Sequence, residues 1–252
     1  MNTQYYPNRI EHSNFQNFEL LYEGIKRKGI YLLEYHDIYL KDAFVTQLAE
    51  QFIRNGSEVL FMQEEQAQYS LRDIFLSRTL FKQNPHQFPF VSQITPESVA
   101  FLNPPFIKQF NDLKQRTSII LIKSKHPVDY YDSLFEAVNE NSRISMVIVD
   151  SQKDYFLKTN IYPQLSWMSF NKNVTILFTS KVIEKHPTYK FTDLSTFVEN
   201  TLYLHSKHPD LYSLADSKNV AYEFELDSRT PSNKGLKSYF TVRPASAYCQ
   251  VG

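Results

Sequence analysis

Glycine is scarce in this 252-residue chain, which contains only five. Ordinary usage, about 7% of residues, would supply several times as many. Loops that cradle phosphate groups need glycines close together, because backbone N–H groups must approach the phosphate without side chains in the way. The composition therefore excludes most glycine-rich nucleotide-binding fingerprints.

Cysteine and long apolar runs are also nearly absent. The single cysteine, Cys249, cannot form a disulfide within the chain, so a secreted disulfide framework is excluded. The longest apolar runs are about six residues, whereas a membrane span needs about 20. Residues 1–18 are polar and do not resemble a signal peptide. We expect a cytoplasmic protein without a membrane partner.

Net charge is absent as well, since 27 Lys and Arg residues balance 27 Asp and Glu residues. A neutral chain has no overall electrostatic attraction to nucleic acid, so a nucleic-acid partner is not favoured. What the chain has in abundance is aromatic residues, with 20 Phe and 17 Tyr. Aromatic residues are enriched at protein interfaces, which favours a protein partner.

Apolar runs and helical spacing alternate along most of the chain. Strands are predicted at 30–33, 59–62, 119–122, 144–149, 174–178, 201–205, 221–226 and 238–242. Helices are predicted at 44–53, 71–80, 134–138 and about 154–169, the first capped by Asp42 and ended by Asn55 and Gly56. The proline-rich segment 82–106 is predicted to be irregular, with one short helix near 96–102.

This order of elements predicts an α/β fold. Its mostly parallel central sheet would be flanked by helices and closed by C-terminal antiparallel strands that include a long hairpin. Residues 1–18 form a polar lead-in, and residues 19–252 are predicted to be a single domain.

Asp150 ends the apolar strand Ile144-Ser-Met-Val-Ile-Val-Asp. In nucleotide-hydrolysing folds, an Asp in this position holds the water shell of Mg²⁺. An Asp at a strand end can equally cap the turn that follows. Both interpretations of Asp150 stay open at this point.

Several segments together resemble the RecA-like ATPase core, in the branch of DnaB-type replicative helicases and KaiC-like ATPases. Residues 20–65 are similar to its opening unit, which consists of a glycine pair, a strand, a phosphate-loop position, a helix, a turn and a strand with an acidic end. ISMVIVDSQ resembles the Walker B strand, NVTILFTSK the strand after it, and FELDSRTPSNKGLKSYFTV the last hairpin. The resemblance spans residues 18–248.

The resemblance implies a RecA-like fold and roles for three residues. Glu65 falls where the family places its catalytic Glu, and Asp150 falls at the Walker B position. Arg229 lies in the hairpin from which basic residues reach a neighbour's nucleotide site. The alternatives are a solvated strand end for Glu65 and a surface hairpin residue for Arg229.

The phosphate loop departs from the family pattern G-x-x-x-x-G-K-[ST]. If Lys41 is its lysine, Tyr35 and Leu40 replace both glycines, and Asp42 replaces the hydroxyl residue that binds Mg²⁺. We therefore expect no nucleotide cofactor and no metal. We also expect Lys41→Ala to leave folding nearly unchanged.

These observations predict a catalytically inactive RecA-like protein, not an enzyme, that acts through protein–protein assembly. Its partner would be another copy or a RecA-like or helicase-like protein, and the helicase resemblance suggests a role near DNA replication. The interface candidates are Arg229, Phe88 and Phe90. One alternative is an active ATPase or helicase-type motor with an unorthodox phosphate loop. The other is a single-stranded nucleic-acid-binding protein.

Overall fold

A computed structural model gives the fold of the chain. It describes residues 25, 28–35, 38–64, 70–80, 104–122, 128–150, 161–181, 200–206, 222–228, 237–243 and 248–251.

The described strands form one nine-stranded sheet. They are β1 (Gly29–Tyr35), β2 (Glu58–Glu64), β3 (Thr117–Ile122), β4 (Ile144–Asp150), β5 (Thr175–Lys181), β6 (Asn200–Ser206), β7 (Tyr222–Ser228), β8 (Lys237–Arg243) and β9 (Tyr248–Val251). Their order across the sheet is β3-β2-β4-β5-β1-β6-β7-β8-β9. The first six in this order pair in parallel, and β7, β8 and β9 pair antiparallel. The predicted fold class is confirmed.

Helices cover both faces of the parallel part. They are α1 (Ile38–Arg54), α2 (Leu71–Leu80), α3 (Pro104–Gln115), α4 (Val128–Glu140) and α5 (Tyr162–Lys172). Helices α1, α2 and α3 pack on one face, and α4 and α5 pack on the other. None of these described helices has the length and apolar character that a bilayer span requires.

Alternating side chains of the parallel strands supply the two cores. In β1, Tyr31 and Leu33 point to the first core, where they join Phe44 of α1, whereas Ile30 and Leu32 point to the second core. Strands buried on both faces must be apolar at nearly every position. This is why they stand out in the sequence as unbroken apolar runs.

The end of α1 is where the sequence predicts it. The helix ends at Arg54, and Gly56 follows with φ of +84°, a left-handed conformation that glycine adopts easily. The N–H groups of Gly56 and Ser57 donate to the carbonyl oxygens of Ile53 and Phe52. These bonds satisfy carbonyls of the last turn that have no partner within the helix.

Four expectations are corrected. Helix α1 begins at Ile38, so Asp42 lies inside it rather than at its cap. Helix α3 begins at Pro104, within the segment predicted to be irregular, and the short helix predicted near 96–102 lies outside the described residues. Helix α5 ends at Lys172, beyond the predicted end at residue 169. Strand β9 was not predicted.

Candidate functional site

Polar side chains collect at the carboxyl ends of three adjacent parallel strands. The sheet register places Gln63 of β2 beside Asp150 of β4, and Asp150 beside Thr179 of β5. All three belong to the positions that face the first core, on the side covered by α1. Parallel α/β sheets bind their ligands at this edge, so it is the candidate site.

Lys41 brings a positive charge to this edge from the first turns of α1. Its side chain is only 3% exposed. The Nζ atom lies 2.7 Å from Oδ2 of Asp150 and 2.6 Å from Oδ1 of Asp42. Because Phe44 and Leu48 anchor α1 in the first core, the ammonium is held against the end of β4.

Both carboxylate oxygens of Asp150 have partners. Oδ2 accepts a hydrogen bond from Lys41, and Oδ1 accepts one of 2.6 Å from the hydroxyl of Thr179. The Asp150 side chain keeps 19% of its surface exposed. The carboxylate is therefore fixed by α1 on one side and by β5 on the other.

Tyr35, the last residue of β1, completes the surroundings of Lys41. The Lys41 ammonium lies 5.5 Å from the centre of the Tyr35 ring, within the range of a cation–π contact. Burial raises the pKa of the Tyr35 phenol to about 12, although the nearby ammonium opposes this shift. Tyr35 therefore stays neutral at physiological pH.

The charges of this cluster act on Lys41 in opposite directions. Burial lowers the pKa of the ammonium, but Asp150 and Asp42 outweigh burial, so the pKa is raised above its usual value. Lys41 is therefore a permanent cation. It faces two carboxylates, so the formal charges are one positive and two negative.

Gln63 has a structural role at the same edge. Its side-chain Oε1 accepts a hydrogen bond of 2.7 Å from the backbone N–H of Leu71, the first residue of α2. The side chain is buried. Gln63 therefore fixes the start of α2 against the end of β2.

The arrangement does not leave the ammonium available to an anion. A phosphate group reaching Lys41 would have to displace two carboxylates that already bind it, and would be repelled by both. A divalent cation reaching Asp150 would compete with an ammonium bound at 2.7 Å. Within the described part of the chain, no group of three His, Cys, Asp or Glu residues could hold a metal ion.

The structure brings together four of the residues singled out in the sequence, namely Tyr35, Lys41, Asp42 and Asp150. Leu40 lies in α1, and its side chain is not among the described ones. Glu65, Phe88, Phe90 and Arg229 lie outside the described residues.

Sequence reasoning missed Thr179 and Gln63 as members of the site. The resemblance of NVTILFTSK to a strand that ends in a polar residue was a signal for Thr179. Only the register shows that Thr179, rather than Ser180, lies level with Asp150. The sequence offered no comparable signal for Gln63.

Comparisons with known proteins support the fold. No protein-family model and no curated protein matches the sequence. Among solved structures, the chain is similar to the ATPase domain of a DnaB helicase, with a TM-score of 0.58 and 14% identity over 94% of this chain and 98% of that one. It is also similar to a KaiC-like protein of the hyperthermophilic archaeon Pyrococcus horikoshii OT3, with a TM-score of 0.55 and 13% identity over 89% of each chain.

At such identities the likeness shows the fold. The chain has a RecA-like fold of the helicase and KaiC type. The RecA-like fold expected from the sequence is confirmed, whereas the loss of the phosphate cradle stays a prediction.

Proposed function

We propose that this chain is a RecA-like protein that does not hydrolyse nucleotide and acts by assembling with other proteins. The observation that carries the proposal is the internal ion cluster, in which Lys41 is bound by Asp42 and Asp150 at 2.6 and 2.7 Å. In a working phosphate loop the lysine binds the β- and γ-phosphates, and a hydroxyl residue follows it. Here a carboxylate follows it.

The charge balance of the cluster supports the loss of nucleotide binding. Phosphate loops bind anions with a positive field and with backbone N–H groups that glycines expose. The cluster has an excess of negative charge, and the bulky ring of Tyr35 occupies the end of β1. Tyr35, Asp42 and Asp150 therefore each act against a bound triphosphate.

An assembly role follows from fold-level analogy. RecA-like domains commonly associate edge to edge, and a subunit without its own phosphate loop retains those faces. The partner we propose is another copy, or a RecA-like or helicase-like protein. Arg229, Phe88 and Phe90 are the interface candidates that the sequence supplies.

Calorimetric titration with ATP and Mg²⁺ tests the loss of nucleotide binding. We expect no binding heat for the unaltered protein at micromolar nucleotide. Asp42→Thr removes one carboxylate and restores the hydroxyl of the family pattern, so this variant should bind ATP more strongly than the unaltered protein. Micromolar binding of ATP–Mg²⁺ by the unaltered protein would overturn the proposal and favour an active ATPase or helicase-type motor.

Light scattering tests the assembly role separately. The mass of the protein should rise above that of one chain, and ATP–Mg²⁺ should leave that mass unchanged. Arg229→Glu should reduce the mass without lowering the melting temperature. A chain that stays monomeric at high concentration, and captures no RecA-like or helicase-like protein from its host, contradicts this role.

A further inference from the structure

We propose that the outer surfaces of α4 and α5 together form the docking face for a second copy of this chain, in a two-fold symmetric dimer. The first observation is a pair of exposed aromatic side chains on α5. Trp167 is 57% exposed and Phe170 is 50% exposed. They are three residues apart and therefore lie on the same side of the helix. Paired exposed aromatics are typical of an interaction surface.

The surroundings of these aromatic side chains are basic. Lys172 is exposed in the last turn of α5. Lys28 is also exposed, and its Nζ donates a hydrogen bond of 3.4 Å to the carbonyl oxygen of Phe170. Helix α5 contains no acidic residue. Its outer surface is therefore aromatic and basic.

The outer surface of α4 is acidic. Asp132, Glu136 and Glu140 are all exposed. They follow one another at intervals of four residues, so they form one stripe along the helix. Helix α4 contains no Lys or Arg.

The two helices lie on the same face of the sheet, against the second core. Helix α4 lies between the parallel strands β3 and β4, and α5 lies between β4 and β5. Each therefore runs back from the carboxyl edge of the sheet to its amino edge, and the two helices are roughly parallel. Glu140 and Lys172 both lie at the amino-edge ends of their helices.

This geometry is self-complementary. A two-fold axis parallel to the helices and between them places α4 of one copy against α5 of the other, and the reverse. Glu136 and Glu140 then lie level with Lys172 and Lys28 of the second copy, twice in the dimer. Trp167 and Phe170 lie toward its centre, where aromatic anchors contribute most.

A second copy fits this face better than a nucleic acid does. A single strand would stack on the aromatic rings and bind the lysines, but the acidic stripe of α4 would repel it. A surface that carries acidic and basic parts side by side is matched by one with the same parts in reversed order. The second copy provides that surface.

The dimer should be weak. Helices of 13 and 11 residues present a patch no longer than about 20 Å, which is at the small end of specific interfaces. We expect dimers at micromolar or higher concentration in sedimentation experiments. Trp167 is the only tryptophan of the chain. Its emission should therefore shift to shorter wavelength as the dimer forms.

Charge reversal provides the decisive experiment. One variant carries Glu136→Lys and Glu140→Lys, and the other carries Lys28→Glu and Lys172→Glu. Each variant alone should sediment as a monomer, and a mixture of the two should form a one-to-one heterodimer. Circular dichroism melts establish that both variants are folded. Trp167→Ser, at an exposed position, should weaken dimerisation about tenfold or more.

Lys108→Glu and Asp112→Lys are the matched controls, because both residues are exposed on α3, across the sheet. These controls should dimerise like the unaltered protein. Reversal variants that still dimerise, or that fail to pair when mixed, overturn the inference. So does an oligonucleotide that quenches Trp167 in the monomer.

The inference extends the proposed assembly role by naming a surface and a partner. Its test uses no nucleotide, so its failure is distinguishable from a failure of the proposed loss of ATP binding. A dimer that persists in both reversal variants would leave the assembly role standing and would remove only this face.

Discussion

Lys41 is the residue whose role changes most between sequence and structure. A phosphate loop without glycines suggests that its lysine is dispensable for folding. The structure instead places Lys41 in a buried position between two carboxylates. We now expect Lys41→Ala to lower the free energy of unfolding by roughly 2–4 kcal/mol, because it leaves those carboxylates without their cation. Urea denaturation measures this loss.

Lys108→Ala is the control for Lys41→Ala, since Lys108 is exposed on α3. It should change the free energy of unfolding by less than about 0.5 kcal/mol. The double variant Lys41→Ala with Asp150→Asn should be less destabilised than the sum of the two single variants, because the second change removes an uncompensated charge. Additive effects would mean that the ion pair has no energetic coupling.

Tyr35 makes the stability of the protein depend on alkaline pH. Its pKa is raised from 10.0 to about 12 by burial, so the folded state holds the phenolic proton more tightly than the unfolded state does. This contribution is complete below pH 10.0 and is lost as pH rises from 10.0 to about 12. Tyr35→Phe should therefore lose less stability over this interval than the unaltered protein.

Chemical denaturation of both proteins at pH values across this interval measures the difference. Other groups with raised pKa values, such as Lys41 and Tyr131, contribute to both proteins and cancel in the comparison. Equal losses in both proteins would show that Tyr35 ionises in the folded state as readily as in the unfolded one.

At the scale of elements, the end of α1 depends on one glycine. Gly56 has φ of +84°, and a Cβ atom at this position would contact nothing within 4 Å. The cost of Gly56→Ala is therefore that of the backbone conformation alone, about 1 kcal/mol of unfolding free energy. Gly56→Asn should cost less, because Asn tolerates the left-handed conformation. Thermal or urea unfolding compares the two, and equal losses would contradict this account.

The structure gains one helix that the sequence pattern concealed. Helix α3 begins with Pro104 and Pro105. Read along the chain, these prolines belong to a series that predicts irregular structure. In the first turn of a helix, however, proline is favoured, because its missing N–H would have no partner there. Phe110 and Leu113 pack against the first core, which identifies the face that stabilises this helix.

At the scale of the whole molecule, the position of a strand in the sheet decides how damaging a charge is. Val147 lies in β4, with neighbouring strands on both sides and no exposed surface. Leu121 lies in β3, the first strand in the sheet order, and is 40% exposed. Val147→Asp should cost more than about 4 kcal/mol, since it buries an unpaired charge.

Leu121→Asp is the comparison for Val147→Asp, and it should cost no more than about 1 kcal/mol because its carboxylate can stay hydrated. Expression level and melting temperature measure both changes. If the two variants were equally damaged, burial in the sheet would not be the deciding factor.

The sequence by itself determined the fold class, the six parallel strands and the end of α1. These depend on local patterns, because a strand buried on both faces must be apolar and a left-handed turn favours glycine. The sequence also placed Lys41 and Asp150 among the candidate residues. It could not show that they touch, since 109 residues separate them.

The tertiary structure decided which of these residues form a site. The crossover connections and the sheet register bring Asp150 and Thr179 level, and packing of α1 on the first core presses Lys41 against them. Register and packing depend on contacts between distant segments, which no local pattern encodes. For the same reason the exposed stripes of α4 and α5 acquire meaning only when the two helices lie side by side on one face.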